Sequence, residues 1–426
     1  MHGWSGSEVD RRRAAIGRVR SDGLSVTEAA REVGRSRQWL HKWLVRYDGA
    51  GEAGLLDQPR APKHRPTRTD KEVVDRILEV RAQLEAHPFA NRGAEAIRYE
   101  LLRKGEKAPS ESTIERVLAR AGTTRPSQAG DRTPQHRPLP TVTKPGWWQQ
   151  IDWVGPRWLA RRVRFSSLHL VDVGGGGAAS AQYPDERLWR TVGFLTGRAW
   201  PALSIPFHLQ TDGAFVAQAP GAGLRPFNPF VRCCLFFGVE VVISPPEELG
   251  WQNWVESFNG LWQARTIRRH TYHTPEEVSA DSDLFIDYYL WNKPHPRLHT
   301  AIHGTRFPGQ LIDNHREGLR FPPPGFFIDD HTDKLGQLRI PLAKGRLSYL
   351  RRVQPGGVIE IARSHFFVPH NTVGLVVCAT ILTGSRRLVI RHGGETIATH
   401  PFPIPEPPID SYHPTAKHGL FYNIKT

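Results

Sequence analysis

Apolar residues recur at helical spacing in the first third of the chain and at strand spacing further on. Residues 8–20 predict a first helix, closed by Asp22-Gly23. Ser25-Val-Thr-Glu28 has the form of a capping box and opens a second over 26–33. Gly34 makes a turn, and Ser36 caps a third helix over 37–47, whose Trp39, Leu40, Trp43 and Leu44 share one face. Helix, Gly turn, helix is the helix-turn-helix pattern. Its last helix would offer Arg35, Arg37, Gln38, His41 and Lys42 to a major groove. An ordinary trihelical bundle with a solvated basic face explains less well why apolar and basic residues segregate so cleanly.

An alternating Pro/Arg stretch follows at 57–68, extended and unable to fold into a core. Residues 69–122 then predict a second helical unit, winged-helix-like or three-helix. Its capping boxes are Thr69-Asp-Lys-Glu72 and Ser112-Thr-Ile-Glu115, and its inward residues include Ile77, Ile97, Leu101, Ile114 and Val117. A polar linker fills 123–146.

From 147 the pattern changes. Residues 147–158 and 163–173 read as a β-hairpin, followed by the glycines 174–177, a third strand at 178–183 and a helix at 186–200. Strands at 204–210 and 239–243 alternate with helices at 227–237 and 251–267. This order predicts a ribonuclease H-like α/β core spanning 147–315. Residues 338–401 carry short turn-punctuated strands and predict a small C-terminal β-barrel. The expected fold is therefore multidomain: a helix-turn-helix domain at 8–56, the second helical unit, the α/β core and the barrel.

Formal net charge is +15, with pI about 10.1, which points to a polyanionic partner. The excess is confined to the two ends: +9 over residues 1–150, −1 over 151–336 and +7 over 337–426. A near-neutral middle between basic arms suits an enzyme with separate DNA-binding parts. The cysteines Cys233, Cys234 and Cys378 make no zinc or disulfide pattern. Neither a signal-peptide pattern nor a membrane-spanning run appears, so the expectation is a soluble cytoplasmic protein acting at the nucleoid.

The neutral middle holds the candidate chemistry. Asp152 ends Trp148-Gln-Gln-Ile-Asp152, Asp212 lies in Thr211-Asp-Gly213, and Glu256 lies on the helix Asn253-Trp-Val-Glu-Ser-Phe-Asn259. Hard oxygen ligands from two strands and a helix suit Mg²⁺, with Mn²⁺ as a substitute. Two such ions would serve both sides of a phosphodiester displacement. Asp172, Glu247 and Glu248 compete for places with weaker flanks, and His270, His273, His295, His299 and His303 lack a paired ligand spacing.

With Tyr289-Leu-Trp-Asn-Lys-Pro-His-Pro296 added, these segments resemble an insertion-sequence transposase of the retroviral-integrase-like DDE superfamily. The resemblance covers about residues 8 to 400. It implies a two-part DNA-binding region, Mg²⁺-dependent strand cleavage and transfer by Asp152, Asp212 and Glu256, and action as a homo-multimer on paired element ends. The basic residues Arg265, Arg268 and Arg269 after the helix are expected to be further DNA contacts. Three departures stand out. Many relatives carry Lys or Arg seven residues after the Glu, where this chain has Gln263; 217–226 is an insertion that lengthens the Asp212–Glu256 spacing; and the glycines 174–177 are unusual after a core strand. A catalytically degraded copy serving as a sequence-specific DNA-binding regulator is the alternative. A repair-type ribonuclease H-like nuclease fits less well, because A-form duplexes hide the groove that a recognition helix reads.

Overall fold

A computed structural model of the chain describes residues 7–58, 69–123, 142–160, 162–213, 215, 225–246, 248, 250–295, 298, 307–323, 339–404 and 406–411. The 217–226 insertion, Glu247, His299 and His303 lie wholly or largely outside the described residues. Contacts divide the chain into two units, Met1–Asp70 and Lys71–Thr426.

The first unit holds α1 (Glu8–Arg20), α2 (Val26–Glu32) and α3 (Arg37–Ala50). The Ser25 capping box forms as expected: Glu28 N donates to Ser25 Oγ (3.3 Å) and Ser25 N donates to Glu28 Oε2 (3.1 Å). Ser7 and Asp10 make the same device at α1, unforeseen because Asp replaces the usual Glu. Gly34 takes φ +67°, the left-handed turn that only glycine adopts without strain. Ala15, Ile16, Leu40, Trp43, Leu44 and Leu55 form the core. Arg12 is buried with them: its guanidinium lies 3.7 Å from the Trp43 ring centre and donates to Leu55 O (2.6 Å) and Asp57 Oδ1 (2.9 Å).

The second unit opens with α4 (Lys71–Ala86), α5 (Ala94–Arg103) and α6 (Glu111–Arg120). No strand forms a wing among the described residues of this segment. The cap of α6 is Ser110, two residues before the expected Ser112, because Ser110 Oγ already accepts from Thr113 N. These helices have their own core around Ile77, Ile97, Ile114 and Val117. They are not a separate body, however. Phe89, between α4 and α5, belongs to the cluster formed by Phe258, Trp262, Phe285 and Tyr289. Its ring meets Phe285 edge-on at 5.7 Å, and His87 lies 4.6 Å from Tyr288. Shared apolar burial therefore merges two segments that the sequence pattern separates.

The core supplies β1 (Trp148–Trp158), β2 (Arg164–Asp172) and β3 (Ala178–Tyr183), then α7 (Leu188–Phe194), a π-helical turn at Leu195–Ala199 and α8 (Trp200–Leu203). After these come β4 (His208–Thr211), α9 (Pro229–Phe236), β5 (Glu240–Ile243), α10 (Asn253–Arg265), α11 (Pro275–Trp291) and α12 (Pro308–Asn314). The strands align as β3-β2-β1-β4-β5, with β1, β2 and β3 antiparallel in succession and β1, β4 and β5 parallel. This is the mixed α/β arrangement expected of the core.

The glycine run has a packing cause. A Cβ on Gly174 would collide with the carbonyl oxygen of Lys144, so the loop fits only without side chains. Asp172 ties it down by accepting from Gly146 N (2.7 Å) and Gly175 N (2.5 Å). Burial pushes Asp172 up to about 6. Asp172 is thus a loop anchor, and it alternates away from the face that carries Asp152.

The C-terminal strands are β6 (Arg346–Arg352), β7 (Val358–Ile361), β8 (Ser364–Phe367), β9 (Val376–Leu382), β10 (Arg387–His392) and β11 (Glu395–Pro401). They lie where strands were expected, but the ladder among the described residues does not close into a barrel. Instead β6 pairs parallel with β5, and the core sheet continues as β5-β6-β9-β10-β11 to nine strands. β7 and β8 form a separate hairpin. A parallel partner was available because β5, buried along most of its length, offered an unpaired edge.

Candidate active site

The β1–β4 register places the first two carboxylates. Gln150 pairs with Gln210, and Asp152 and Asp212 each follow two residues later. Period-two alternation puts both on one face, Asp152 within β1 just beyond its parallel pairing and Asp212 just past the end of β4. Glu256 lies in the first turn of α10, exposed, and its Oε1 accepts from Gly250 N at 3.3 Å.

Asn259, one turn further along α10, closes on Asp152: its Nδ2 donates to Asp152 Oδ2 at 2.8 Å. The Asn259 Oδ1 therefore faces His169 Nδ1 at 2.6 Å, which requires the proton on Nδ1. His169 is fully buried against Phe258 and Trp262, and burial pulls it down to about 4, so it stays neutral.

Burial is the first cause that pushes Asp152 up to about 7. The charge of Asp212 adds to it, the Asn259 bond opposes it, and Glu256 adds a smaller push. Asp152 thus feels the charge of both other carboxylates. Among the described residues, no group of three or more His, Cys, Asp or Glu is gathered tightly enough to cage a metal. Glu248 is engaged elsewhere, accepting from Trp251 Nε1 (3.0 Å) and pairing with Arg352 (2.9 Å).

A pH dependence follows. The folded value of Asp152 lies above its ordinary value of 3.8, so the fold favours the protonated form. Stability from this group is full below pH 4 and is lost as pH rises through 7. Asp152→Asn is therefore expected to raise the metal-free melting temperature at pH 8 and to have little effect at pH 4. Melting curves at the two pH values check this, and an equal change at both would contradict the charge crowding.

The basic residues divide by environment. Arg35, Arg37, Gln38, His41 and Lys42 are all exposed around the start of α3; Arg35 also pairs with Glu8 (2.5 Å). Beyond α10, Arg265 Nη2 donates to Asn91 Oδ1 at 3.2 Å and Arg269 Nη1 donates to Pro88 O, so both hold the α4–α5 loop. Arg268 is exposed. Lys293 of the Tyr289–Pro296 segment lies 5.1 Å from the Tyr289 ring, and burial lowers it to about 8 while Glu95 of α5 opposes the shift.

The sequence reading missed His169 and gave no role to Asn259 or to the glutamines. The signal was present: Gln150-Ile-Asp152 and Gln210-Thr-Asp212 repeat one spacing.

Comparison with known proteins finds a helix-turn-helix domain model matching residues 11–63 and a homeodomain-like domain model matching 39–118. Among solved structures, the chain is similar to the magnesium-bound catalytic core domain of HTLV-2 integrase, trimeric form. Identity is 15%, covering 40% of this chain and 98% of that one, with a TM-score of 0.29. Bovine immunodeficiency virus (BIV) integrase core gives the same values. The simian T-cell lymphotropic virus intasome, solved with PP2A regulatory subunit B56 gamma, gives 12% identity, 72% and 96% coverage and a TM-score of 0.32. The core's architecture is read from its own strand order and register rather than from these distant likenesses. Among the described residues, no helix is long and apolar enough to cross a membrane.

Proposed function

We propose that this chain is a DNA transposase that binds the ends of its own insertion element and carries out metal-dependent strand cleavage and transfer. The observation that carries the reading is the register that aligns Asp152 with Asp212, beside a helix bearing Glu256, with Asp152 raised first by burial and then by the charge of Asp212. Crowded carboxylates, one of them half-protonated near pH 7, form a donor set that favours a divalent cation. Asp152, Asp212 and Glu256 would hold Mg²⁺ or Mn²⁺. Such ions supply Lewis-acid activation of the attacking and leaving oxygens. Asn259 fixes the Asp152 carboxylate through Oδ2, and His169 fixes Asn259. The exposed side chains of α3 bind the double-stranded terminal repeat, while Arg268 meets the DNA backbone near the site. A homo-multimer on paired ends, in the cytoplasm at the nucleoid, completes the reading.

The exposed Glu256, bonded to Gly250 N, favours a second reading: a regulator that binds DNA specifically without cutting it. The test incubates purified protein with labelled DNA from the gene's flanks, a target plasmid and Mg²⁺ or Mn²⁺. The expected result is metal-dependent joining of labelled ends to the plasmid. Specific binding with no cleavage in either metal would establish the regulator instead.

A further inference from the structure

Each carboxylate has a buried glutamine shortly before it in the chain. Gln150 precedes Asp152 by two residues, Gln210 precedes Asp212 by two, and Gln252 precedes Glu256 by four. The side chains of Gln150 and Gln210 bond to each other, and that of Gln252 bonds the backbone of both strands. Gln150 Nε2 donates to Gln210 Oε1 (2.9 Å), and Gln210 Nε2 donates to Trp251 O (2.9 Å) and Ser244 Oγ (3.0 Å). Gln252 Nε2 donates to Ile151 O (3.1 Å), the carbonyl just before Asp152, and more weakly to Gln210 O (3.4 Å). Trp148 Nε1 supplies a further bond to Gln210 Oε1 at 3.0 Å.

Helix α10 shows what this network does. Its N-cap residue, Gln252, makes no side-chain cap bond. A helix start leaves N–H groups without partners, and burying them so is costly. Gln150 Oε1 accepts from Trp254 N (3.1 Å) and Val255 N (3.2 Å), so the cap comes from strand β1 instead. The next residue after these capped amides is Glu256. One side chain, two residues from Asp152, thus sets where the helix carrying Glu256 begins. Asn259 makes a second tie, from α10 back to Asp152.

We infer that Gln150, Gln210 and Gln252 are positioning residues that brace the three carboxylates against one another, with Gln150 capping α10 in trans. The inference deepens the metal-site reading and rests on it. None of the glutamines touches the reacting groups; they act through backbone placement. Their contacts are hydrogen bonds between neutral groups, so the brace does not itself titrate.

The test uses full-length protein and two variants, Gln150→Met and Gln210→Met, which keep side-chain length but remove the polar ends. Three readouts are compared with wild type: Mn²⁺ affinity by calorimetry, amide hydrogen exchange of Trp254 and Val255, and joining kinetics. Loss of an indirect support to a metal site typically weakens metal affinity about 10–100-fold. The expected result is Mn²⁺ binding weakened at least about tenfold in both variants, with faster exchange at Trp254 and Val255 in Gln150→Met. Rates should fall through kcat, with KM for DNA unchanged. The double variant should be no worse than the poorer single one, as expected for residues acting as one unit. Unchanged Mn²⁺ affinity in folded variants would overturn the brace, whether or not the wild type joins DNA. Mn²⁺ binding by the wild type that needs the glutamines, but without joining, would support the brace and count against the transposase reading alone. Should Gln150→Met fail to fold, Gln210→Met decides, since α10 keeps its cap there.

Discussion

Asp152→Asn is expected to lower DNA cleavage and joining by about 10³-fold or more, the effect of losing about 4 kcal/mol of transition-state stabilisation. The amide keeps the shape of the side chain and one acceptor oxygen for Asn259 Nδ2. It loses the charge that a divalent cation needs, at a position where both other carboxylates are felt. Binding to element ends should persist, because the exposed α3 residues belong to the other structural unit. Gel-shift and joining assays on the same preparation check the two halves. An Asp152→Asn variant that still joins strands would remove Asp152 from the chemistry. One that no longer binds ends would show that the substitution acts through the fold.

Trp43→Ala should have the opposite profile, abolishing end recognition while leaving the second unit folded. Trp43 is almost fully buried in the first unit's core, and its ring also carries the buried Arg12 guanidinium at 3.7 Å. Truncating a buried Trp costs about 3–5 kcal/mol. A unit of roughly 50 residues has roughly 3–8 kcal/mol of stability in all. The loss therefore consumes most of what holds the helices together, and it strands Arg12 beside a cavity. Two-step thermal melting should show the first transition lost and the second unchanged. Lys42→Ala on the same helix is the control: exposed, it should leave melting unchanged and reduce the salt dependence of binding by about one phosphate contact. If Trp43→Ala melts like wild type, the first unit does not depend on this core.

The sequence pattern disclosed the elements well, because helical and strand periodicities are local. Ser25, Ser36 and Gly34 mark their boundaries through backbone chemistry that needs no tertiary context. The carboxylate strands were legible for the same reason: each Asp ends or follows a short apolar run. Other features depended on pairing between distant segments. Nothing local tells that β6 adds to β5, so the C-terminal strands read as a closed barrel. Nothing local tells that Phe89 reaches Phe285, so the second helical unit read as a separate domain. His169 looked like one more residue of a buried strand. Its role depends on Asn259, ninety positions away, being turned by its bond to Asp152.

The parallel pairing of β5 with β6 has a consequence for how the chain is made. β5 ends at Ile243 and β6 begins at Arg346, so the ribosome delivers roughly 100 residues between them, about 5–20 s of synthesis. Through that interval the nascent core can assemble up to β5, paired with β4 on one side and open on the edge that β6 will take. Such an edge invites a neighbouring nascent chain on the same polysome to complete the sheet in place of β6. Protection of that edge by a chaperone, or by slow release of the core, would set how much of this protein a cell obtains in usable form.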